Sequence, residues 1–445
     1  MKNIEGGIQS PTRHKIEWQS KDYTNSNILD QEMRRVFDVC HSCRRCFNLC
    51  DSFPNLFDII DESSTGELDS VSSKSFSSVV DSCTLCDLCF LSKCPYVPPH
   101  EFNIDFPHLM LRYRVAENSI KTRLNFFENQ LLNIDRNGKI FVFFAPLTNI
   151  FIFTKNFLIR FFIATIFNIH KKAQIPKYSS KTFSKIESSI PDSKNILEEK
   201  AYKKVVIYTT CFANYNNTSI AIAAKNVLEK NNIFTKVVYP ECCGMPNFEA
   251  GDLKTVTDKA IKISSILLPW IDKGYDIITL TPSCSLMLKS EWPLLLPENN
   301  EVLKLSKATK DICEFVVEVS KDGKLNRNLL PLNKKVSFHL ACHSKAQNIG
   351  NKGLDMLRII PEISVSVVDK CSGHGGTFGL KKDTFPSAQK YGKMTAKKIE
   401  IANPDYIVSE CPLAGKHIGH MLIENNPKFE KLSSKHPIEL LSMCY

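Results

Sequence analysis

The stretch "FTKVVYPECCGMP", Phe234–Pro246, decides how the rest of the chain is read. Its first seven residues have the β-branched and aromatic character of a short strand that stops at Pro240. Two adjacent thiols follow, Cys242 and Cys243, and then Gly244. Upstream, "KKVVIYTT" reads as a buried strand ending at Cys211, and "NTSIAIAAKNVLEKNN" as an amphipathic helix between the two strands. Downstream, "LKTVTDKAIKISSILLPWI" predicts a second helix, and "YDIITLTP" a third strand that delivers Cys284. Strands alternating with helices predict a parallel α/β unit.

The same order recurs. "KVSFHLAC" brings Cys342, "NKGLDMLRII" is helical, "ISVSVVDKCSGHGG" brings Cys371, and after another helix "PDYIVSEC" ends at Cys411. Thirty residues separate Cys211 from Cys242, and twenty-eight separate Cys342 from Cys371. Forty-one separate Cys242 from Cys284, and thirty-nine separate Cys371 from Cys411. Matched intervals of this kind indicate an internal duplication. Each thiol falls at the C-terminal end of a strand, where open α/β sheets place their sites. The first half offers Cys211, Cys242, Cys243 and Cys284 as metal ligands. The second offers Cys342, Cys371 and Cys411, with Ser372 standing where the first half has Cys243. His343 and His374 lie beside those thiols and are candidates for a nitrogen ligand or a proton donor. Cys313 and Cys444 sit outside the pattern in apolar sequence and read as core, as does His339 within its strand. The loop "CSGHGGTFG" lacks the order of a phosphate-binding motif and reads as tight backbone around a site.

Eight more cysteines occupy two dense runs. "CHSCRRCFNLC" carries Cys40, Cys43, Cys46 and Cys50, and "CTLCDLCFLSKCP" carries Cys83, Cys86, Cys89 and Cys94. The first is C-x2-C-x2-C-x3-C, the spacing of bacterial ferredoxins; the second has one extra residue before its last cysteine. A cubane cluster needs four thiolates, three from one tight loop and the fourth from the partner run. By that logic Cys40, Cys43, Cys46 and Cys94 hold one [4Fe–4S] cluster, and Cys83, Cys86, Cys89 and Cys50 the other. Structural zinc, which uses separated C-x2-C pairs, is the competing assignment.

The chain has 445 residues, 43% hydrophobic and 23% charged, enough for two or three domains. Lys plus Arg exceed Asp plus Glu by 57 − 47 = 10. No concentrated basic run argues for nucleic acid. The first residues lack an apolar h-region, so the seventeen cysteines are expected to serve metal or redox sites in a reducing cytoplasm rather than disulfides. Between Lys139 and Lys172 the sequence is rich in Phe, Ile and Leu. Its longest uncharged run, Ile140 to Thr154, falls short of the about 20 residues a spanning helix needs. Two readings remain, a buried helical pair or a segment lying in a membrane surface; the residues alone favour burial.

Two ferredoxin-type runs followed by two cysteine-rich repeats resemble the C subunit of anaerobic glycerol-3-phosphate dehydrogenases. More broadly, the repeats resemble the CCG domains of the B subunit of heterodisulfide reductase and of the glycolate oxidase iron–sulfur subunit. "CCGMP", "TLCDLCFLSKCPYVPPHEF" and "LACHSKAQNIG" carry the likeness. It implies an α+β chain, with a mainly helical bacterial-ferredoxin-type domain followed by two tandem α/β CCG repeats. The expected boundaries are an extension over 1–30, the ferredoxin-type domain over 31–115, a hydrophobic helical connector over 116–200, and repeats over 201–330 and 331–445. The implied role is an oxidoreductase component that relays electrons between a flavoprotein dehydrogenase, or another redox partner, and a quinone pool or other acceptor. Two [4Fe–4S] clusters and a further Fe–S cluster or zinc in the first repeat are the expected cofactors. The likeness also raises the expectation that 139–172 meets a membrane, with the protein peripheral on the cytoplasmic face. Thr281 and Ser372 depart from the fullest CCG pattern, which puts a disulfide-cleaving centre in doubt. The alternative is a heterodisulfide reductase-like enzyme acting on a small disulfide, persulfide or peroxide-type substrate, with His343 or His374 delivering protons. A third reading is a binding protein with structural zinc.

Overall fold

The computed structural model describes residues 10–120, 126–153, 156–189 and 196–445. Part of the expected N-terminal extension, residues 1–9, lies outside them, as do Thr154 and Lys155 of the apolar segment. The chain is a mixture of helices and two parallel sheets.

The first sheet contains β1 (Lys203–Tyr208), β2 (Ile233–Val238), β3 (Asp276–Thr279) and β4 (Thr309–Asp311), in the order β2-β1-β3-β4. The second repeats it with β5 (Lys335–His339), β6 (Ser364–Val368), β7 (Tyr406–Ser409) and β8 (Ser433–Lys435), in the order β6-β5-β7-β8. All pairings are parallel, with Val205 opposite Asp276 in the first sheet and Val336 opposite Tyr406 in the second. In each sheet the strand order reverses beside the first strand, so the ends of β1 and β3, and of β5 and β7, form topological switch points. Sequence reading finds three strands per repeat and the structure has four. The missed β4 and β8 are three-residue edge strands of mainly polar sequence, too short to show a period.

Among the described residues three cores hold the molecule, the third formed by Ile169, Phe385, Ile407 and Met421. The N-terminal helices share one with the first repeat, where Phe37, Phe53, Leu56 and Met110 join Val256, Ile263 and Trp292. The two repeats share a second through Val205, Ile278, Phe315, Phe338 and Leu441. Cys313 and Cys444 are buried in it. His339 is also interior, with Nδ1 bonded to Ser409 Oγ at 3.1 Å and Nε2 to the Lys370 carbonyl at 3.0 Å.

The apolar segment is not buried, contrary to the preference drawn from its residues. It folds as the helices Ile134–Phe143, Ala145–Phe151 and Phe157–Ile166. Phe143 is 78% exposed and Leu158 72%, and Phe144, Leu147, Ile150, Phe161 and Phe162 are also open. Three short helices with a polar break at Asn156 cannot place apolar residues on one inward stripe. Close backbone packing and polar contacts fasten them instead. A Cβ on Gly138 would fall 2.4 Å from the Tyr215 ring, so the first helix lies directly on the first repeat. The buried Arg160 guanidinium donates to the carbonyls of Ala173 at 2.6 Å and His170 at 3.1 Å. Among the described residues no helix is long and apolar enough to cross a membrane.

Candidate redox site

Left-handed backbone at Arg44 in the first cysteine run, and at Leu85 and Asp87 in the second, turns each run tightly enough to gather its thiols. The structure brings Cys40, Cys43 and Cys46 together with Cys94 of the other run around a cavity of about 20 Å³. Burial pushes the Cys40 thiol well up, and Cys94, Cys46 and Cys43 push it further. Cys50 joins the second run: burial raises it, followed by Cys86 and Cys83. For Cys89 burial again leads, then Cys86, Cys83 and Cys50, with Cys46 of the first set also in range. Crowded, buried thiols are costly to ionise unless a cationic core compensates, and four sulfur donors in each set suit a multi-iron core. Among the described residues no group of three or more His, Cys, Asp or Glu side chains closes around a single-ion point.

Charged contacts lock this module onto the repeats. Arg13 reaches Asp87 at 2.7 Å, Asp105 at 2.9 Å and Glu291 of the first repeat at 3.2 Å. Burial would lower the Arg13 pKa, but those carboxylates raise it well above the ordinary value. The buried Arg114 guanidinium donates to the Val80 carbonyl at 2.8 Å and the Glu249 carbonyl at 2.7 Å. Gly375, at φ +47°, presses on Thr84; a Cβ there would lie 2.6 Å from its methyl.

The first repeat assembles its four thiols in one place. Cys211 opens a short helix capped by Thr210, and Cys284 sits in the helix Pro282–Leu286. Gly244, at φ +83°, turns the chain after Cys242 and Cys243. All four are free thiols; Cys243 Sγ lies 3.2 Å from Cys284 Sγ, and Cys242 accepts hydrogen bonds from Cys211 and Cys243. Accepting from these two neighbours holds Cys242 well below the usual thiol range, whereas its bond to Cys242, followed by burial, pushes Cys211 up. Asp135 accepts from the Cys242 N–H at 3.0 Å and from Tyr239 Oη at 2.6 Å. Tyr208, buried beside all four thiols, donates to the Glu241 carbonyl at 2.6 Å. Sequence reading missed Asp135, Tyr208 and Tyr239. Asp135 comes from the apolar connector, 107 residues before Cys242, and no local pattern marks it.

The second repeat has three thiols in the pattern. Cys342 opens the helix Cys342–Ala346, Cys411 precedes Pro412–Asn425, and Cys371 is exposed. Burial raises Cys342, followed by Cys86 of the second cysteine run, then Cys371 and Cys411. Although Cys371 is exposed at its surface, the protein packed around its sulfur, and then Cys86, pushes it up to about 11. Burial also raises Cys411, which feels Cys284 of the first repeat. Tyr391 bridges the modules, donating to Asp51 at 2.6 Å, next to Cys50. The two candidate histidines part company. His343 is buried between Ser283 Oγ, 2.9 Å from Nδ1, and the Leu85 carbonyl, 3.4 Å from Nε2, so both its nitrogens are engaged. His374 lines a separate cavity, and its Nε2 is buried without a partner.

A family model for the CCG cysteine-rich domain matches residues 205–289 and 336–418, one match per sheet. The C subunit of anaerobic glycerol-3-phosphate dehydrogenase of Escherichia coli is 28% identical over 324 residues, 71% of this chain and 76% of that protein. The D subunit of dihydromethanophenazine:CoB–CoM heterodisulfide reductase of Methanosarcina barkeri is 26% identical over 51% of this chain and 55% of its own length. An uncharacterized iron–sulfur protein of Methanocaldococcus jannaschii is 26% identical over 53% of this chain and 46% of its own. The chain carries two CCG cysteine-rich domains and resembles the C subunit of anaerobic glycerol-3-phosphate dehydrogenase.

Proposed function

We propose that this chain is an iron–sulfur electron-transfer component that relays electrons between a partner, such as a flavoprotein dehydrogenase, and a membrane quinone or another acceptor. Cys40, Cys43, Cys46 and Cys94 hold one [4Fe–4S] cluster in this reading, Cys83, Cys86, Cys89 and Cys50 a second, and Cys211, Cys242, Cys243 and Cys284 a further centre. Such clusters supply one-electron redox chemistry. The chain's part is to space them, bury them and set their surroundings through Asp135, Tyr208 and Arg114.

The gathering of the thiols supports the reading, with Cys40, Cys43, Cys46 and Cys94 around one cavity and Cys243 3.2 Å from Cys284. Cys46 acts on Cys89, Cys86 acts on Cys342 and Cys371, and Cys284 acts on Cys411. His343 of the second repeat, next to Cys342, reaches the Leu85 carbonyl inside the second cysteine run, so these two modules meet beside their thiols. The exposed apolar helices, flanked by the exposed Arg136, Lys139, Lys171 and Lys172, suit a peripheral seat on the anionic cytoplasmic face of a membrane.

Iron and acid-labile sulfide per chain after anaerobic purification test the reading. About twelve or more of each supports the relay; about eight with zinc makes the repeats structural. The exposed Cys371 favours a second reading, reduction of a small disulfide at the repeat face, with two electrons and two protons giving two thiols. Turnover of a disulfide by the chain alone with an artificial reductant distinguishes it.

A further inference from the structure

Of the three four-thiol sets, the first stands most open to solvent. Cys40, Cys43, Cys46 and Cys94 are all partly exposed, whereas Cys83 and Cys89 of the second set, and Cys242, Cys243 and Cys284 of the first repeat, are buried. The cavity among the first four thiols reaches the surface at Arg45, which lines it and is itself exposed. A partner protein has its closest approach to the thiol sets here.

Two cations from different cysteine runs meet at that opening. Arg45 lies two residues after Cys43, and Lys93 immediately precedes Cys94. Both side chains are exposed. Burial, then Cys94 and Cys43, push the Cys46 thiol up to about 12, and Lys93 and Arg45 both pull against them. Arg44 is taken up by Asp61 and His41; among the described residues Arg45 and Lys93 form no ion pair. Two positions beyond Arg45, Phe47 is 51% exposed, its ring stacked 6.3 Å from that of Phe57. A bare aromatic ring next to unpaired cations has the make-up of an interface anchor, where arginine and aromatic residues are enriched. Arg114 shows how this chain places a cation for a thiol set alone: buried, and bonded to the Val80 carbonyl in front of Cys83. Arg45 and Lys93 are left open instead.

We infer that the Arg45–Lys93 face docks an acidic redox protein, one whose own redox group is ringed by carboxylates. The inference rests on the relay proposed above and adds where the partner sits and what charge it carries. Complementary charge steers encounter and fixes orientation, raising association rates by roughly ten- to a thousandfold at low salt. The partner's carboxylates pair with the two cations and its rim covers Phe47. One electron then passes between the partner's redox group and the set of Cys40, Cys43, Cys46 and Cys94, with no proton transferred.

Reduced flavodoxin, a small acidic flavoprotein, is the probe, mixed with the full anaerobically purified chain; the reduced methyl viologen cation is a donor of opposite charge. Stopped-flow absorbance reads one electron leaving the donor and one entering the chain. The flavodoxin rate is expected to fall steeply with salt. Arg45→Glu combined with Lys93→Glu lowers it about tenfold or more at low salt, at unchanged iron content, and leaves the viologen rate undiminished. An equal loss with both donors means that the cations tune the cluster and dock nothing, which overturns the inference. A flavodoxin rate indifferent to salt and to the charge reversal overturns it as well. A water-soluble carbodiimide, which joins a lysine to a carboxylate in contact with it, reads docking without electron flow. The expected amide links Lys93 to flavodoxin and disappears in Lys93→Gln; links confined to other lysines overturn the face. Reduction by both donors without a link at Lys93 sinks the face alone. A link at Lys93 on a chain that takes no electron from either donor supports the face and sinks the relay.

Discussion

The two repeats share a strand order, a parallel register and nearly equal thiol intervals, yet they do different things with their cysteines. In the first, four thiols form a chain of sulfur contacts, sealed by Tyr208 and ordered by Asp135. In the second, only three thiols follow the pattern, Ser372 stands in place of the fourth, and Cys342 and Cys371 lie in range of Cys86 of the N-terminal module. A duplicated sheet fixes where strand ends converge; it does not fix what stands opposite them. The first repeat meets the connector helix carrying Asp135, and the second meets the loop of the second cysteine run. One copy is thereby built as a closed centre and the other as a junction.

The largest expected contrast is in metal content. Cys243→Ser lowers the iron and sulfide count by the whole of the first-repeat centre, whereas Cys371→Ser leaves the count unchanged. Equal losses in both variants would erase the distinction drawn here.

The second contrast is in how each repeat is fastened. Arg13→Met leaves the buried Asp87 and Glu291 carboxylates, and the partly buried Asp105, without their cation, and costs about 3–5 kcal/mol in denaturant unfolding. The pH dependence has a definite sign. Burial alone would raise the Asp105 and Glu291 carboxyls, but His108 and Arg13 outweigh it and hold both below the ordinary range. The unfolded chain therefore binds more protons in acid. This stabilisation is complete above roughly pH 4 and drains away as the pH falls through the lower folded values. Stability that stayed flat below that pH would mean the network contributes nothing.

Asp135→Asn sharpens the comparison at the first centre. Removing a negative charge next to Cys242 raises its midpoint potential, by roughly 1 kcal/mol of electron-transfer free energy, with the other clusters unmoved. Redox titration followed by electron paramagnetic resonance reads this directly.

The smallest effect belongs to the second repeat's outer contact. Lys390 bonds Asp51 at 2.9 Å with its side chain 59% exposed, so Lys390→Met costs about 0–1 kcal/mol in the same unfolding assay.

Particular residues show how far the sequence could be read. The strands around "KKVVIY" and "YIVS" announce themselves because parallel strands buried on both faces are continuous apolar runs. The cysteines announce themselves by spacing alone. The edge strands Thr309–Asp311 and Ser433–Lys435 carry no such signal. The apolar connector misled in a different way. Phe and Leu content predicts burial, but burial needs a partner surface, and the helices Ala145–Phe151 and Phe157–Ile166 leave most of theirs open. His343 and His374 looked alike beside their thiols, yet one is sealed between Ser283 and Leu85 and the other faces a cavity.

The sequence by itself determined the alternation of strand and helix, the duplication, and the placing of seven thiols at or just beyond strand ends. These follow from local periodicity and short spacing, which any few consecutive residues express. Only the tertiary structure decided that Asp135 reaches Cys242, that Cys86 faces Cys342 and Cys371, and that a cavity opens beneath the exposed helices. Those relations join residues tens to hundreds of positions apart, and their energies depend on burial and distance, which no linear pattern records.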